Sequence, residues 1–482
     1  MLAYSDDQPI EYRKISTAVS EAAEARERGE MTDALALMYN SFDPDKPAKP
    51  EYYLDCSRAR GSSTLVDRFL SHLYRSDEYL CFLFSGHIGC GKSSELQQLK
   101  HALANPAGDN PRYFPVLVNV GEYLDDFDAA PSDILLAIVS ELASALREEL
   151  GIELRDNYFV KRINEIKQFF LSDVEVKEGE LGLGGAKLKI QRLKRDPGAR
   201  DHVRQALEPK LSTMAVEINT VFEEARLKIR SDKAKGRNQS FADFVLILDD
   251  MEKIVGFPGK QVGIASQREF FIERAPQLRA IKSHVIHTVP LRLARSDGPQ
   301  LKQRYGVEPF VLPMVKIFER GTTNRFAEGH DCIRRLLQRR LGELDLNKAF
   351  DPEALEFLIQ FSGGHVKNLM TFLREACTHT KVIPIPLQAA KKAVQLSVRA
   401  YSTGIPEQHW EKLAQLDQSA DQQIRNGDED YLLMLEQLSI LEYVNGGGDA
   451  PFTGGEPWYA VNPIVKELQK FKAAEIKLLR VN

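Results

Sequence analysis

The segment Gly86 to Ser93, with the sequence GHIGCGKS, constrains the fold of this chain more than any other stretch. It matches every fixed position of the pattern G-x-x-x-x-G-K-[ST]. The mostly apolar residues 81–85 precede it and predict a short buried strand, and leucines at helical spacing follow it over residues 96–103. Strand, glycine-rich loop and helix therefore come in the order that a phosphate-binding loop requires.

Glycines in such a loop let successive backbone N–H groups approach an anion, and the following helix presents its N-terminus to it. Lys92 is expected to reach the β- and γ-phosphates of a nucleotide, and the Ser93 hydroxyl is expected to bind Mg²⁺. The predicted phosphate-binding residues are Gly86, His87, Ile88, Gly89, Cys90, Gly91, Lys92, Ser93 and Ser94.

A second apolar stretch, Phe244 to Leu248, runs directly into Asp249 and Asp250. It predicts a central buried strand whose carboxyl end carries two carboxylates, at the edge where ligands bind in open α/β sheets. An acid in this place holds Mg²⁺ in phosphate-loop proteins. We assign Asp249 to the metal and Asp250 to orienting the attacking water, and we expect the acidic strand to lie beside the glycine-loop strand.

The next apolar stretch, His284 to Pro290, predicts another strand of the same sheet. Near its end, Thr288 or His287 could hydrogen-bond the γ-phosphate or the attacking water, although either could equally be a buried polar residue at a strand end. On the other side of the loop, Arg58 or Arg60 could touch the nucleotide, or could simply be solvated.

Composition describes an ordinary soluble chain of 482 residues, with 43% hydrophobic and 28% charged residues and a net charge of −5. This charge gives no global attraction to nucleic acid or membrane. No apolar run approaches the length of a membrane span, and the N-terminus lacks a signal-peptide core. The five cysteines show no metal-ligand or redox spacing, so we expect reduced thiols in a cytoplasmic protein.

The order of predicted elements suggests four parts. Residues 1–50 form accessory helices and a proline-rich linker, residues 51–320 the phosphate-loop core, residues 321–400 a helical lid, and residues 401–482 a winged-helix domain. Two local predictions in the core are an edge strand over Tyr52 to Asp55 and a Ser132 cap on a helix that runs from Asp133 to Leu150.

The core is interrupted over residues 155–240, where the strand–helix alternation stops. Residues 174–190 predict a β-hairpin, and an apolar stripe over residues 203–229 predicts a long helix that Pro209 kinks. From Ala186 to Arg237 there are 14 Lys and Arg against 7 Asp and Glu. This basic stretch is a possible surface for nucleic acid or an acidic partner, or an ordinary solvated helix face.

Together these motifs resemble the AAA+ ATPases of the origin-recognition and STAND type. The resemblance covers about residues 52–482 and rests on GHIGCGKS, FVLILDD, HVIHTVP, GGHVKNL and the C-terminal helix–strand–loop–strand pattern. It implies the α/β class: a P-loop NTPase parallel sheet core with a helical lid, a C-terminal winged-helix domain and an α/β insertion. It also implies ATP and Mg²⁺ as ligands.

The resemblance implies further roles. Thr288 would be the first sensor, and Lys367 would stand in the lid where the family usually has a sensor arginine. Asp250 stands where the family often has glutamate, which suggests slow turnover. An arginine finger from a neighbouring subunit would be expected, and the possible residues are Arg268, Arg274, Arg279 and Arg304.

Three functions compete. The first is a bacterial ATP-dependent switch that closes its lid, forms a homo-oligomer or hetero-complex and controls a separately encoded effector, such as an anti-phage defence nuclease. The second is a DNA-binding ATPase of the initiator, loader or transposition-regulator type, although residues 463–472 carry only three lysines. The third, a small-molecule kinase, leaves residues 320–482 without a purpose.

Overall fold

The computed structural model describes residues 33–154, 191, 194–231, 241–425, 427–445 and 455–480. The hairpin predicted at residues 174–190 lies outside this part of the chain. The chain divides into two compact units, and each is described by itself. The larger unit comprises Pro47–Pro313 and Gln423–Tyr459, and the smaller comprises Met1–Lys46, Met314–Gln422 and Ala460–Asn482. The domain bounds given above stay predictions.

A five-stranded parallel sheet forms the centre of the larger unit. Its strands are β1 (Cys81–Gly86), β2 (Tyr113–Asn119), β3 (Asp243–Asp249), β4 (His284–Thr288) and β5 (Phe310–Leu312). Their order in the sheet is β2-β3-β4-β1-β5. All seven residues of β3 are buried, as expected for a central strand covered on both faces. The sheet confirms the predicted α/β, P-loop NTPase class.

The prediction that β1 and β3 are neighbours is wrong, because β4 lies between them. Phe84 of β1 is in register with Thr288 of β4, while Leu248 of β3 is in register with His287. The glycine loop and the acidic strand end are therefore separated by one strand, and the end of β4 stands between them.

Helices cover both faces of this sheet, and each crossover between parallel strands requires one. Those of the larger unit are α1 (Ser57–Arg60), α2 (Leu65–Leu73), α3 (Lys92–Ala104), α4 (Pro131–Leu150), α5 (Pro197–Leu207), α6 (Leu211–Ser231), α7 (Ile264–Arg268), α8 (Ala275–Leu278), α9 (Leu291–Ser296) and α10 (Gly298–Tyr305). A π-helical turn, Glu269–Glu273, joins α7 to α8. The long apolar stripe of the insertion is broken as predicted, since Pro209 lies in a 3₁₀ turn between α5 and α6.

Two local predictions in this unit are wrong. Helix α4 begins at Pro131, and the Asp133 carboxylate accepts a hydrogen bond from the Ala130 N–H at 2.9 Å, so Ser132 is not the cap. Proline at the first helical position fixes the start two residues earlier. The expected edge strand at Tyr52 is instead the 3₁₀ turn Pro50–Tyr52, which Pro50 likewise initiates.

The smaller unit is helical over its described residues. A helical segment at residues 33–41 is followed by α11 (Ala327–Leu341), α12 (Leu346–Ala349), α13 (Pro352–Ser362), α14 (Val366–Thr378), α15 (Leu387–Gly404) and α16 (His409–Gln418). The glycine pair ends α13 as predicted. A Cβ on Gly364, where φ is +75°, would meet the Val315 carbonyl oxygen at 1.8 Å, so no other residue fits there.

The C-terminal elements follow the predicted helix–strand–loop–strand order. They are α17 (Glu429–Glu436), β6 (Ile440–Val444) and β7 (Pro457–Val461), with β6 and β7 paired as a two-stranded sheet. The final helix is divided into α18 (Pro463–Lys466) and α19 (Gln469–Leu479). No helix among the described residues is long and apolar enough to cross a membrane. None of the five cysteines, all of which are described, forms a disulfide.

Candidate nucleotide-binding site

The glycine loop leaves the carboxyl end of β1 in a conformation that only glycine adopts easily. Gly86 has φ +151° and Gly91 has φ +113°. A Cβ on Gly86 would lie 2.9 Å from the carbonyl oxygen of Leu312 in β5, so a larger residue would displace the loop from the sheet edge. The two glycines therefore hold the loop backbone close to the strand ends, as a phosphate cradle requires.

Lys92 lies at the N-terminus of α3 with its ammonium group turned back into the loop. Its side chain is 4% exposed, and Nζ donates to the carbonyl oxygens of Gly86 (3.0 Å) and His87 (3.1 Å). The same nitrogen forms an ion pair with Oε1 of Glu252 at 2.9 Å. Burial acts to lower the pKa of Lys92, but the Glu252 charge outweighs it and the pKa is raised. Lys92 is therefore a buried, permanently charged group in the loop.

Asp249, at the end of β3, meets the hydroxyl of Ser93 across the site. Its residue is 8% exposed, and burial together with the charges of Glu252 and Asp250 raises its pKa to about 6. The Ser93 hydroxyl donates a hydrogen bond that acts in the opposite direction. The two residues assigned to the metal ion, Ser93 and Asp249, are therefore in contact with each other.

Asp250 lies beside this contact and has a partner of its own. Its backbone adopts a left-handed conformation with φ 68°, and its carboxylate forms an ion pair with the half-exposed Lys253 at 2.8 Å. Its Oδ2 lies 3.3 Å from the place where a Cβ on Gly121 would stand. Gly121 follows β2, so the Asp250 side chain leans toward the β2 side of the sheet.

Thr288 ends β4 and is fully buried between the two motifs. Its Oγ1 accepts a hydrogen bond from the Met251 N–H at 2.9 Å, and its hydroxyl lies close enough to the Glu252 carboxylate to lower the pKa of that group. The neighbouring His287 projects to the other face of the sheet, where Nδ1 lies 3.5 Å from Met251 Sδ and burial lowers its pKa to about 4. Of the two alternatives, only Thr288 is at the site.

The structure separates the two arginines proposed to face the loop. Arg60 is buried and donates to the carbonyl oxygens of Cys90 (2.8 Å) and Pro313, so it supports the loop from behind. Arg58 is exposed. Ser94 also has a structural contact, because its Oγ accepts a hydrogen bond from the Ala48 N–H at 2.9 Å.

His87 connects the loop to the C-terminal elements of the same unit. It is 2% exposed, and its Nε2 accepts a hydrogen bond from the backbone N–H of Glu442 at 3.0 Å. Its Nδ1 must then carry the proton that is donated to the Leu435 carbonyl oxygen at 3.1 Å. A variable position of the motif is thus bound to α17 and β6.

The donor set fits a hard divalent cation. Carboxylate oxygens of Asp249, Asp250 and Glu252 lie within 4.8 Å of one another, and the Ser93 hydroxyl adjoins them. Oxygen ligands of this kind are those that Mg²⁺ prefers. The raised pKa of Asp249 indicates negative charge that the surrounding residues do not fully compensate. Ser93 and Asp249 would therefore hold the ion, and Lys92 and the loop N–H groups would hold the phosphates.

Other residues predicted to act in catalysis have partners within the chain. Lys367 belongs to the smaller unit, in α14, where its Nζ pairs with Asp45 at 2.7 Å. Arg268, Arg274 and Arg304 pair with Asp297, Glu269 and Glu273 at 2.9, 3.0 and 3.7 Å. Arg279 donates to the Arg304 carbonyl oxygen. Their roles as sensor and arginine finger stay predictions.

The basic stretch is partly neutralised by internal ion pairs. Arg200 and Arg204 are buried against Asp128 at 2.7 and 2.6 Å, and Arg204 also contacts Asp133. Arg226 is buried against Asp243 at 3.0 Å. Arg200 and Arg204 hold α5 to the start of α4 and the segment before it, and Arg226 holds α6 to β3, so these three cations are not placed to meet a nucleic-acid backbone.

Glu252 is the site residue that sequence reasoning missed. It lies three positions after Asp249, in the 3₁₀ turn Met251–Lys253, and that turn brings its carboxylate back over the end of β4. The available signal was a third acid immediately after an acidic strand end.

Comparisons with known proteins give structural likeness only. No protein-family model and no curated protein matches the chain. A Walker-type ATPase of Pyrococcus abyssi is similar at 13% identity and a TM-score of 0.41, over 88% of this chain and 98% of its own. A Drosophila ORC structure bound to DNA has 12% identity and a TM-score of 0.38, over 92% and 91% of the two chains. The Aeropyrum pernix ORC1 protein in complex with DNA has 12% identity and a TM-score of 0.34, over 90% and 98%. At these values the chemistry of the site is inferred from its own residues and distances.

Proposed function

We propose that this protein binds and hydrolyses ATP with Mg²⁺ and uses the nucleotide state as a regulatory switch. The observation that carries the proposal is the convergence of a buried Lys92, a Ser93–Asp249 contact and the Thr288 hydroxyl at one edge of a parallel sheet. Groups of these types in this order suit a triphosphate and its metal ion.

Each residue has a separable task in this proposal. Lys92 neutralises charge on the β- and γ-phosphates, and the loop N–H groups position them. Bound Mg²⁺ would supply further charge neutralisation and would orient the phosphates. Ser93 and Asp249 bind that ion, while Thr288 fixes the acidic turn through the Met251 N–H at 2.9 Å.

Two sets of contacts support a switch. His87 of the loop holds backbone groups of α17 and β6, at 3.1 and 3.0 Å. Helix α9, which follows β4, is joined to the same segment because Arg295 forms a bidentate pair with the fully buried Glu442. Movement of the loop on phosphate binding would therefore be felt at residues 429–444. The partner we propose is a separately encoded effector of bacterial anti-phage defence, such as a nuclease, as the family resemblance implies.

The DNA-binding alternative gains no support from the lysines of the last helices. The three lysines of residues 463–472 all form ion pairs: Lys466 with Asp417, Lys470 with Glu407 and Lys472 with Glu467, at 2.5 to 2.8 Å. Such partners compete with phosphates for the same charges. We therefore favour the switch.

The test measures the release of phosphate from ATP and, by light scattering, the molecular mass of the protein in solution. Purified protein is expected to release phosphate from ATP slowly and to change its mass in light scattering between ATP and ADP. Lys92→Ala should lose both responses, while Lys100→Ala, on the same helix and partly exposed, should keep them. Equal phosphate release by the wild type and Lys92→Ala would refute the site, and a mass that ignores the nucleotide would refute the switch.

A further inference from the structure

We propose that Glu252, and not Asp250, is the carboxylate that faces the reacting phosphate and orients the attacking water. This inference rests on the proposed ATPase function and changes the assignment made from the sequence. The two acids follow β3 in the same turn and their carboxylates come within 4.8 Å of each other, but Glu252 is paired with Lys92 and Asp250 with Lys253.

The order of the strands shows which part of the site each acid faces. The glycine loop follows β1, which is separated from β3 by β4, whereas β2 lies on the far side of β3. Glu252 reaches over the end of β4 toward the loop and contacts Lys92 at 2.9 Å. Asp250 leans toward Gly121 after β2 and is held by Lys253 at 2.8 Å. Of these two acids, Glu252 is the one whose carboxylate contacts the cation that would bind the γ-phosphate.

The Glu252 carboxylate also has unused capacity to accept a hydrogen bond. Its Oε1 is paired with Lys92 and the Thr288 hydroxyl lies near the carboxylate, but no described residue makes a well-formed hydrogen bond to its buried Oε2. A buried carboxylate oxygen without a donor is unfavourable, so a nearby polar group is expected to satisfy it. A water held there would lie beside the phosphate that Lys92 binds.

Hydrolysis of ATP at this site needs no reagent other than water. The water oxygen forms a bond to the γ-phosphorus as the bond from phosphorus to the bridging oxygen breaks. The bridging oxygen leaves on ADP with its electron pair, and the water proton leaves by way of the Glu252 carboxylate to solvent.

The ion pair adds an effect on binding that is separate from hydrolysis. Phosphate oxygens must take Lys92 from Glu252, so the carboxylate competes with ATP in the free protein. Glu252→Gln removes this negative charge and keeps the shape. It should tighten ATP binding about 3- to 10-fold, which reflects the loss of a charged hydrogen bond, and slow hydrolysis about 100-fold or more.

The experiment compares two isosteric variants in the full chain. ATP affinity is measured by displacement of a fluorescent ATP analogue, and phosphate release is measured in a single turnover. We expect Glu252→Gln to bind ATP more tightly and to hydrolyse it about 100-fold more slowly. Asp250→Asn alters a carboxylate beside the metal ligands, and it should still hydrolyse ATP at least about 10-fold faster than Glu252→Gln.

Other results would overturn the inference or the proposed function. A loss of hydrolysis in Asp250→Asn with near-normal Glu252→Gln would overturn the inference, and so would equal losses in both. If Glu252→Gln does not fold, as judged by melting, Glu252→Asp replaces it and should slow hydrolysis without weakening ATP binding. Wild-type protein that neither binds nor hydrolyses ATP would instead refute the proposed function itself.

Discussion

The two ends of strand β3 both carry a buried acid and a buried base, but they differ in how fully these groups are satisfied. At the amino end, Arg226 Nε contacts both oxygens of Asp243 at 3.1 and 3.0 Å, and its other nitrogens reach Glu223 and the Lys282 carbonyl oxygen. At the carboxyl end, burial and neighbouring acids raise the pKa of Asp249 to about 6, and no described residue makes a well-formed hydrogen bond to Glu252 Oε2.

This difference separates a structural ion pair from a site. The amino-end pair is complete, so it holds α6 to the sheet and has nothing left to offer a ligand. The acids at the carboxyl end carry negative charge that the neighbouring cations do not fully balance. Lys92 is paired there with Glu252, and a phosphate could replace that partner. Unsatisfied polar groups in a buried cluster are expected where a ligand completes the structure.

The largest predicted effect contrasts hydrolysis at the two ends. Lys92→Ala should lower kcat/KM for ATP about 1,000-fold, because a preorganised positive charge on the phosphates is lost. Arg226→Ala should change kcat/KM per folded molecule by less than about 3-fold, since it touches only the amino end. Steady-state kinetics, at a temperature where circular dichroism shows both variants folded, distinguishes the two. A comparable loss in Arg226→Ala would remove the contrast.

The next prediction concerns the free energy of unfolding. Arg226→Ala leaves Asp243 buried without its counter-ion and should lower this free energy by about 3–5 kcal/mol. Arg230→Ala provides the matched control, because Arg230 faces the same acid at 3.7 Å from a 54% exposed position, and it should lose less than about 1 kcal/mol. Denaturant unfolding of both variants measures the difference. Equal losses would mean that the buried pair has no special role.

A third prediction is that a substitution at the carboxyl end, Asp249→Asn, raises the free energy of unfolding at neutral pH but not at low pH. Burial and the neighbouring acids raise the pKa of Asp249 to about 6 in the folded chain, from 3.8 for an unperturbed aspartate, so the folded state holds the proton more tightly. The protonated Asp249 carboxyl group therefore makes its full contribution to the free energy of unfolding below pH 4. This contribution is lost as the pH rises through 6. Asp249→Asn should therefore stabilise the nucleotide-free protein by about 1–3 kcal/mol at pH 7.5.

The same variant should show no such gain at pH 4. Denaturant unfolding at the two pH values, without Mg²⁺, provides the measurement. Asp243→Asn is the contrasting variant, because it breaks the complete pair and should destabilise the protein at pH 7.5. Destabilisation by Asp249→Asn at pH 7.5 would show that the carboxyl end is as well compensated as the amino end.

The smallest predicted effect concerns the connection from the loop to residues 429–444. His87→Ala removes two buried hydrogen bonds and should lower stability by about 1–3 kcal/mol. It should also speed amide exchange of Glu442, whose N–H loses its acceptor at 3.0 Å. Hydrogen exchange read by mass spectrometry on peptides covering β6 tests this. Unchanged exchange at Glu442 would mean that the loop does not control this segment.

The sequence predicted the fold through motifs that are continuous in the chain. The glycine loop with its strand and helix, the strand ending at Asp249 and the strand ending at Thr288 all follow from local patterns of apolar and turn-forming residues. The short β5 was missed, because three residues bounded by irregular chain give no periodic signal. The neighbour relation of β1 and β3 depends on which strand inserts between them, and no local pattern encodes that.

The site was predicted less completely, for the same reason. Lys92, Ser93 and Asp249 follow from their spacing and lie together, but the direction of each side chain after β3 depends on the left-handed backbone of Asp250 and on the β2 and β4 neighbours. Spacing could not show that Glu252 turns toward the loop. It also could not show that Arg200 and Arg204 of the basic stretch are buried against acids distant in sequence.

The most direct measurement is the affinity of the wild-type protein for ATP by equilibrium dialysis, with Mg²⁺ and with a chelator in its place. If the unsatisfied carboxyl end of β3 and the glycine loop form one site, ATP binds at one molecule per chain. Removal of the ion should weaken that binding about 10-fold or more, because the charges of Asp249 and the phosphates then repel. Asp249→Asn should abolish this dependence on Mg²⁺. Absence of ATP binding, or binding that neither Mg²⁺ nor Asp249→Asn affects, would contradict the account.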